Sequence, residues 1–310
     1  MKKGMIKPFH LGLTVVIVML ILSIGWTFFW EAPEAERFMY DENGALIDTP
    51  PYPISRTHWL GADREGNDLF YLIISGAKWT IMFAFSVTAL RVFTAGFLGL
   101  MGRRMVASRW MNSFFQAFHY IPQSLLAIIW LAPYILYELR GTSPLSFVET
   151  IVLQLAVLTI VGVPTLTKVV AETANHIHTF DFMESARVLG GNGWHLSRVH
   201  VFPHLFPRLL ILFGRQFVQV LTLMLHLAIF HIFIGGTNIG SGQEHDQFVV
   251  YYTPVFEWAG IIGTRYKELL LEPTIIAFPV LAYSLLIMTV DMMVNGMEEN
   301  FRTDGTTVHK

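Results

Sequence analysis

Six stretches of this chain are long and apolar enough to cross a bilayer as helix, and this decides most of what it can fold into. They run over roughly 11–30, 79–101, 111–137, 147–168, 208–235 and 273–294. A hydrocarbon core about 30 Å thick needs about 20 apolar residues at about 1.5 Å of rise each. Backbone groups in lipid must bond within their own segment, so such runs are helices. A membrane β-barrel needs alternating apolar and polar positions. Leu13 to Leu22 shows no alternation. The fold class is an all-α polytopic membrane protein with six transmembrane helices.

Composition supports this. Apolar residues make up 53% of the 310 and charged residues 14%, where a soluble domain carries about 25% charge. The net charge of −2 points to no nucleic-acid partner. The chain has no cysteine, which excludes disulfides and thiolate metal sites. Lys2, Lys3 and Lys7 before the first run resemble a signal-peptide n-region. That run is long, however, and closes on Trp26, Phe28, Phe29 and Trp30 with no small-residue cleavage site, so it reads as a retained anchor.

Lys and Arg set the orientation. With the N-terminus inside, the inner segments hold Lys2, Lys3, Lys7, Arg103, Arg104, Arg109, Lys168, Arg187, Arg198, Arg208, Arg302 and Lys310. The longer outer segments hold only Arg37, Arg56, Arg64, Lys78, Arg140, Arg265 and Lys267, beside acidic Glu31, Glu34, Glu36, Asp41, Glu42 and Asp48. Both termini are then cytoplasmic. Residues 1–310 read as a single membrane domain: 31–78 is an outer loop with a short helix before span two, 170–206 a cytoplasmic loop, and 236–272 a second outer loop.

The cytoplasmic loop carries its own pattern. Asp181 and Glu184 have capping-box spacing. A helix from Asp181 ends at Gly190-Gly191, where glycine tolerates a left-handed turn. Asn192 caps a second short helix, and Pro203 and Pro207 mark the entry to span five. Phe180, Phe182, Met183, Trp194 and Leu196 are more apolar than a solvated loop requires. They fit a groove on a partner or packing beneath the chain's own bundle.

Glu184-Ser185-Ala186, then Gly190, then His200-Val201-Phe202-Pro203 resembles the coupling motif of ABC-importer permeases. That motif reads E-A-A-x-x-x-G and, nine residues on, I/H-x-L-P. Ser185 replaces an Ala and Phe202 a Leu. Upstream, His58-Trp59-Leu60-Gly61-Ala62-Asp63-Arg64-Glu65-Gly66-Asn67-Asp68-Leu69 looks like H-P-L-G-T-D-E-x-G-R-D-V. That segment belongs to the second permease of oligopeptide/dipeptide (and nickel) ABC importers. Glu257-Trp258-Ala259-Gly260 is similar to the family's P-x-W-G-x-M-L region. Order and spacing agree from about residue 55 to 300.

The resemblance implies a type I ABC-importer permease fold in a bacterial or archaeal inner membrane. It implies a path for peptides, or alternatively nickel or another small solute, shared with a related permease. It also implies two cytoplasmic ATPases holding ATP and Mg, and an extracellular or periplasmic binding protein. Glu184, Ser185, Ala186, Gly190, Val201 and Pro203 would contact an ATPase. No P-loop G-x-x-x-x-G-K-S/T occurs, so the chain is a transport subunit without an ATP site or cofactor of its own. It departs from the family at Asn67, in place of Arg, and over Met224–Phe233, where a carboxylate is lost and His226 and His231 appear.

Arg91 stands mid-span, where a charge costs about 2.5–3.5 kcal/mol and must face protein or water. It reads either as a pathway cation for a carboxylate or as an ion-pair or carbonyl contact. His226 and His231 are candidates for the path. Their spacing of five does not set two metal ligands on one helix face, and no metal site is assigned. A secondary transporter is the alternative class, but no inverted repeat is visible. A membrane enzyme lacks a nucleophile set.

Overall fold

A computed structural model describes residues 7–31, 33–35, 38–40, 44–138, 144–241 and 249–307. Lys2, Lys3, Glu36, Arg37, Asp41, Glu42, Arg140 and Lys310 of the charge pattern lie outside these residues. The helices are α1 (Lys7–Phe29), α2 (Leu69–Met101), α3 (Arg103–Val106), α4 (Arg109–Tyr120), α5 (Gln123–Glu138), α6 (Phe147–Ile177), α7 (Asp181–Val188), α8 (Gly193–Leu196), α9 (Phe202–Ile229), α10 (Trp258–Arg265) and α11 (Pro273–Thr307). Two small antiparallel strand pairs are formed, β1 (Met39–Tyr40) with β2 (Leu46–Asp48) and β3 (Asn238–Ser241) with β4 (Val249–Tyr252).

Among the described residues, α1, α2, α6, α9 with its N-terminal extension, and α11 are each long and apolar enough to span a membrane. The expected third span is instead a broken pair, α4 and α5, bent by 83°. Pro122 causes the break. It brings no N–H and biases Ile121 toward extended backbone, and Ile121 sits at φ −91°, ψ 123°.

Contacts along the helices fix their relative directions. Trp79 near the start of α2 meets Phe147 at the start of α6. Arg91 reaches Leu158, and Gly99 approaches Val170. The two helices therefore run parallel, and the chain between them must return across the bundle once. The bent α4–α5 pair makes that crossing. Trp26 of α1 packs on Phe70 of α2, and Pro8 lies against Gly296 of α11. The Gln154 amide of α6 donates to the Phe233 carbonyl just beyond α9, and the Tyr283 hydroxyl of α11 to the Leu221 carbonyl of α9. Pro8, Met101, Ile177, Phe202 and Gly296 thus share one face. Phe29, Leu69, Phe147, Ile229 and Pro273 share the other.

Two further expectations change. No separate helix precedes span two: Asp63 to Asn67 form a turn, and α2 runs unbroken from Leu69. Asp68 caps it, accepting from the Tyr71 N–H at 2.9 Å. Span five does not begin at 208 or reach 235. Helix begins at Gly193, passes through a π-turn at Ser197–Val201, and stops at Ile229. Pro203 directly follows the π-turn, and this local widening of the helix accommodates a residue that lacks an N–H.

The main core joins α2, α6, α9, α10 and α11, with Ala84, Val87, Val220, Leu221, Trp258 and Leu286 at its centre. The short helix α10 is tucked into this core. The Trp258 indole donates to the Ile73 carbonyl at 2.7 Å, and its N–H to Thr80 Oγ1 at 3.0 Å. A second cluster lies at the Ile177 end of the bundle. It gathers Val170, Ala174, Ile177, Met183, Leu196, Val201 and Leu205.

Candidate functional site

The polar loop is two short helices around a glycine corner. α7 starts one residue earlier than its capping pattern suggests: Phe180 is the N-cap and Asp181 the first helical residue, without a side-chain cap bond. Asp181 and Glu184 both stand in the first turn, where the helix dipole favours negative charge. Gly190 adopts φ +88°, with the Gly191 N–H bonding back to the Ala186 carbonyl at 3.1 Å. Asn192 caps α8, accepting from the His195 N–H at 2.8 Å.

This motif has two sides. Met183, Leu196 and Val201 are buried in the second cluster, with Ala186 packed at its edge. Glu184, Ser185 and Gly190 are exposed. So are the large apolar side chains at the corner: Val188 is 83% exposed, Leu189 87% and Trp194 61%. One face is anchored to α6 and α9, and the other is left open.

The loop is also tied electrostatically. Arg103 of α3 donates to Asn175 Oδ1 of α6 at 3.0 Å, and Arg187 lies 3.2 Å from His178 Nδ1. Burial, with Arg103, Arg187 and Arg104 close by, pushes the His178 imidazole down to about 4. It is neutral at pH 7.

Above this face a cavity of about 560 Å³ opens beneath the α4–α5 break. Its walls are the break itself, the middle of α6 and one face of α9. Gln123, Ser124, Thr165, Gln216, Gln219 and Thr222 are among its polar lining residues, together with His119, His226 and Arg215. Among the described residues no Asp or Glu lines it. Arg215 is paired with Glu298.

The three candidate path residues do not come together. His226 lines the cavity. Arg91 is fully buried behind it, its Nε and Nη2 donating to the Leu158 carbonyl at 2.8 and 2.6 Å. Its Nη1 donates to Gln216 Oε1 at 3.2 Å, so it reaches the cavity only through that amide. Of the two readings of Arg91, the carbonyl contact describes the geometry, and it forms within this chain. His231 lies past the end of α9 with φ +57°, stacked on Tyr251 of β4 at 4.1 Å. Burial, with Lys267 nearby, lowers its pKa.

The upstream motif builds a clasp on the opposite face. Asp63 Oδ1 accepts from the Glu65 and Asn67 N–H groups at 2.9 and 2.8 Å, while the Asn67 amide donates to Asp63 Oδ2 at 2.9 Å. Arg265 of α10 bridges Asp63 at 2.7 Å and Glu65 at 2.6 Å, and Arg64 meets Glu268 at 2.8 Å. Asn67, a departure from the family pattern, thus has a defined local role. Sequence reasoning missed Arg265. Its partners stand about 200 positions away, and no local pattern announces the pairing.

No family model matches the chain. Relatives match along nearly all of it. A glutathione transport system permease protein GsiD of Pectobacterium atrosepticum is 21% identical over 288 residues, covering 92% of this chain and 83% of that protein. The protein of the same name from Shigella flexneri serotype 5b is 20% identical over 293 residues, covering 94% and 85%. That of Escherichia coli O1:K1 matches to the same extent. Along nearly its whole length the chain is thus similar to permease proteins of a glutathione transport system, and its five long apolar helices, the bent α4–α5 pair and the two-helix loop between α6 and α9 agree with that likeness.

Proposed function

We propose that this permease carries peptides inward along a path shared with a related permease. Two separate cytoplasmic ATPases, holding ATP and Mg, drive it, and an extracellular or periplasmic binding protein feeds it. The relatives named for glutathione, a tripeptide, support the substrate class. The relatives, which come from bacteria, support a bacterial or archaeal inner-membrane location, and the Lys/Arg bias supports an orientation with the termini and residues 170–206 in the cytoplasm.

One observation carries the reading: residues 181–203 bury one side against α6 and α9 and leave Val188, Leu189 and Trp194 bare at the corner. A plain connecting hairpin has no use for that surface, whereas an ATPase cleft does. Glu184, Ser185, Ala186, Gly190, Val201 and Pro203 then form the coupling element. ATP-driven closure of the ATPases moves the loop, and the loop moves the walls of the cavity, giving alternating access.

Affinity purification of the tagged chain, co-expressed with its neighbouring genes, tests this. Two ATPases and one related permease should co-purify, and uptake should require ATP hydrolysis. Ion-gradient-driven uptake by the chain alone would replace this reading with a secondary transporter.

A further inference from the structure

Arg91 sets the direction of a chain of amides that ends in the cavity. Its guanidinium has donors only, so the Gln216 group facing it at 3.2 Å must be the carbonyl oxygen. Gln216 therefore turns its NH2 the other way, and Nε2 donates to Gln219 Oε1 at 2.7 Å. That bond occupies the Gln219 oxygen and leaves its NH2 pointing onward. Gln219 is exposed, one turn along the α9 face that lines the cavity. A buried cation thus fixes both amide flips, which the side chains alone would leave open.

The free end of this relay offers hydrogen-bond donors. His119 and His226 stand around the same cavity, Arg215 beside them is already paired with Glu298, and among the described residues the lining has no carboxylate. Such a surface suits a hydrogen-bond acceptor with negative charge. It offers no counter-charge to an amine and no oxyanion to a metal cation. We infer that Gln219, oriented through Gln216 by Arg91, recognises a carboxylate of the transported peptide. The inference rests on the proposed function and adds the part of the substrate that this subunit reads. Gln219 is the contact, and Gln216 and Arg91 are positioning residues.

The test uses the complete transporter in liposomes, assembled from the chains that co-purify with this one. The probes are glutathione, its diamide with both carboxylates capped, and Ni²⁺. The wild type should favour glutathione over the diamide. Gln219→Glu keeps the size but replaces the donor with a repelling oxyanion. It should raise the KM for glutathione about tenfold or more and abolish the preference over the diamide, with a smaller effect on Vmax. Gln219→Asn, which keeps the donor, should retain the preference. Gln216→Leu breaks the relay and should weaken the preference with Gln219 still present. An unchanged KM and preference in Gln219→Glu overturns the inference while leaving the permease reading standing. So does wild-type uptake of Ni²⁺ in place of glutathione. Failure of any ATPase to co-purify removes the functional reading and this inference together.

Discussion

The guanidinium of Arg91 occupies the space that a side chain at Gly162 would need. A β-carbon at Gly162 would stand 2.4 Å from Arg91 Cζ. The absence of a side chain on α6 is thus what lets a charged group of α2 lie flat against it and reach the Leu158 carbonyl. Gly162→Ala should force Arg91 out of this seat. Overpacking of this kind costs about 1–3 kcal/mol, and the lost donor to Gln216 should lower uptake as well. A thermal melt of the detergent-purified variant at the wild-type midpoint would show that the contact is not tight.

Arg265 holds Asp63, which is fully buried. Arg265→Leu should destabilise the protein by about 3–5 kcal/mol, the usual result of removing one partner of a buried ion pair. Burial already pushes the Asp63 carboxyl up, and Arg265 is the main force holding it down. With Arg265 gone, the protonated form is favoured further. The stability of the variant should therefore fall as pH rises through the raised Asp63 value. Asp63→Asn in the same background should recover part of the loss and flatten the pH dependence. Melting curves across pH check both points.

Gly190 sits at φ +88° with nothing within 4 Å of where a β-carbon would be. Only backbone conformation resists a side chain there, at about 1–2 kcal/mol for a non-glycine residue. Gly190→Val should bend the corner and cut substrate-stimulated ATP hydrolysis severalfold, while Gly190→Asn should largely spare it. Glu184→Ala should cost little stability, since Glu184 is an exposed first-turn acid. It should still reduce coupling. Coupled hydrolysis at the wild-type rate in both Gly190→Val and Glu184→Ala would reduce the loop to a connector.

His178 gives the loop an acid limit. Its pKa is depressed in the folded protein, so its stabilising contribution is present above the ordinary value near 6.5. That contribution is lost as pH falls toward about 4. Wild-type protein should lose thermal stability relative to His178→Asn across that window. Parallel pH profiles for the two would count against the packing of His178 among Arg103, Arg104 and Arg187.

The chain contains no cysteine, so single cysteines report sidedness without background. In intact cells an impermeant thiol reagent should label position 45 and spare position 192. The reverse pattern would invert the orientation.

The helices were legible because lipid imposes a length and an apolar run on each of them. The Gly190 corner and the Asn192 cap were legible because their chemistry is local. The α4–α5 break was masked by the apolar average over 111–137, although Pro122 and the polar Asn112, Ser113, Gln116 and His119 before it carried the signal. The β3–β4 pairing is less legible: Val249-Val250-Tyr251-Tyr252 is strand-like, but its partner Asn238–Ser241 holds one large apolar side chain, Ile239. Arg91, His226 and His231 looked like one set because they are unusual residues. Their grouping depends on which side of each helix faces the cavity, and that follows only from packing. The amide relay was invisible for the same reason, since two glutamines three apart are unremarkable until a guanidinium is found behind them.

The second cluster gives the bundle a handle. Met183 and Leu196 of the loop share one buried cluster with Val170 of α6 and Leu205 of α9, and Leu212 packs against it. Leu212 also borders the cavity, and Val169 borders it from α6. The loop therefore grips two rods near one end, and the same rods wall the cavity farther along. A tilt delivered at Gly190 is shared by both rods and widens or narrows the gap between them. The stiffness of that grip, more than the strength of any docking contact, would then set how much of an ATPase stroke reaches the solute.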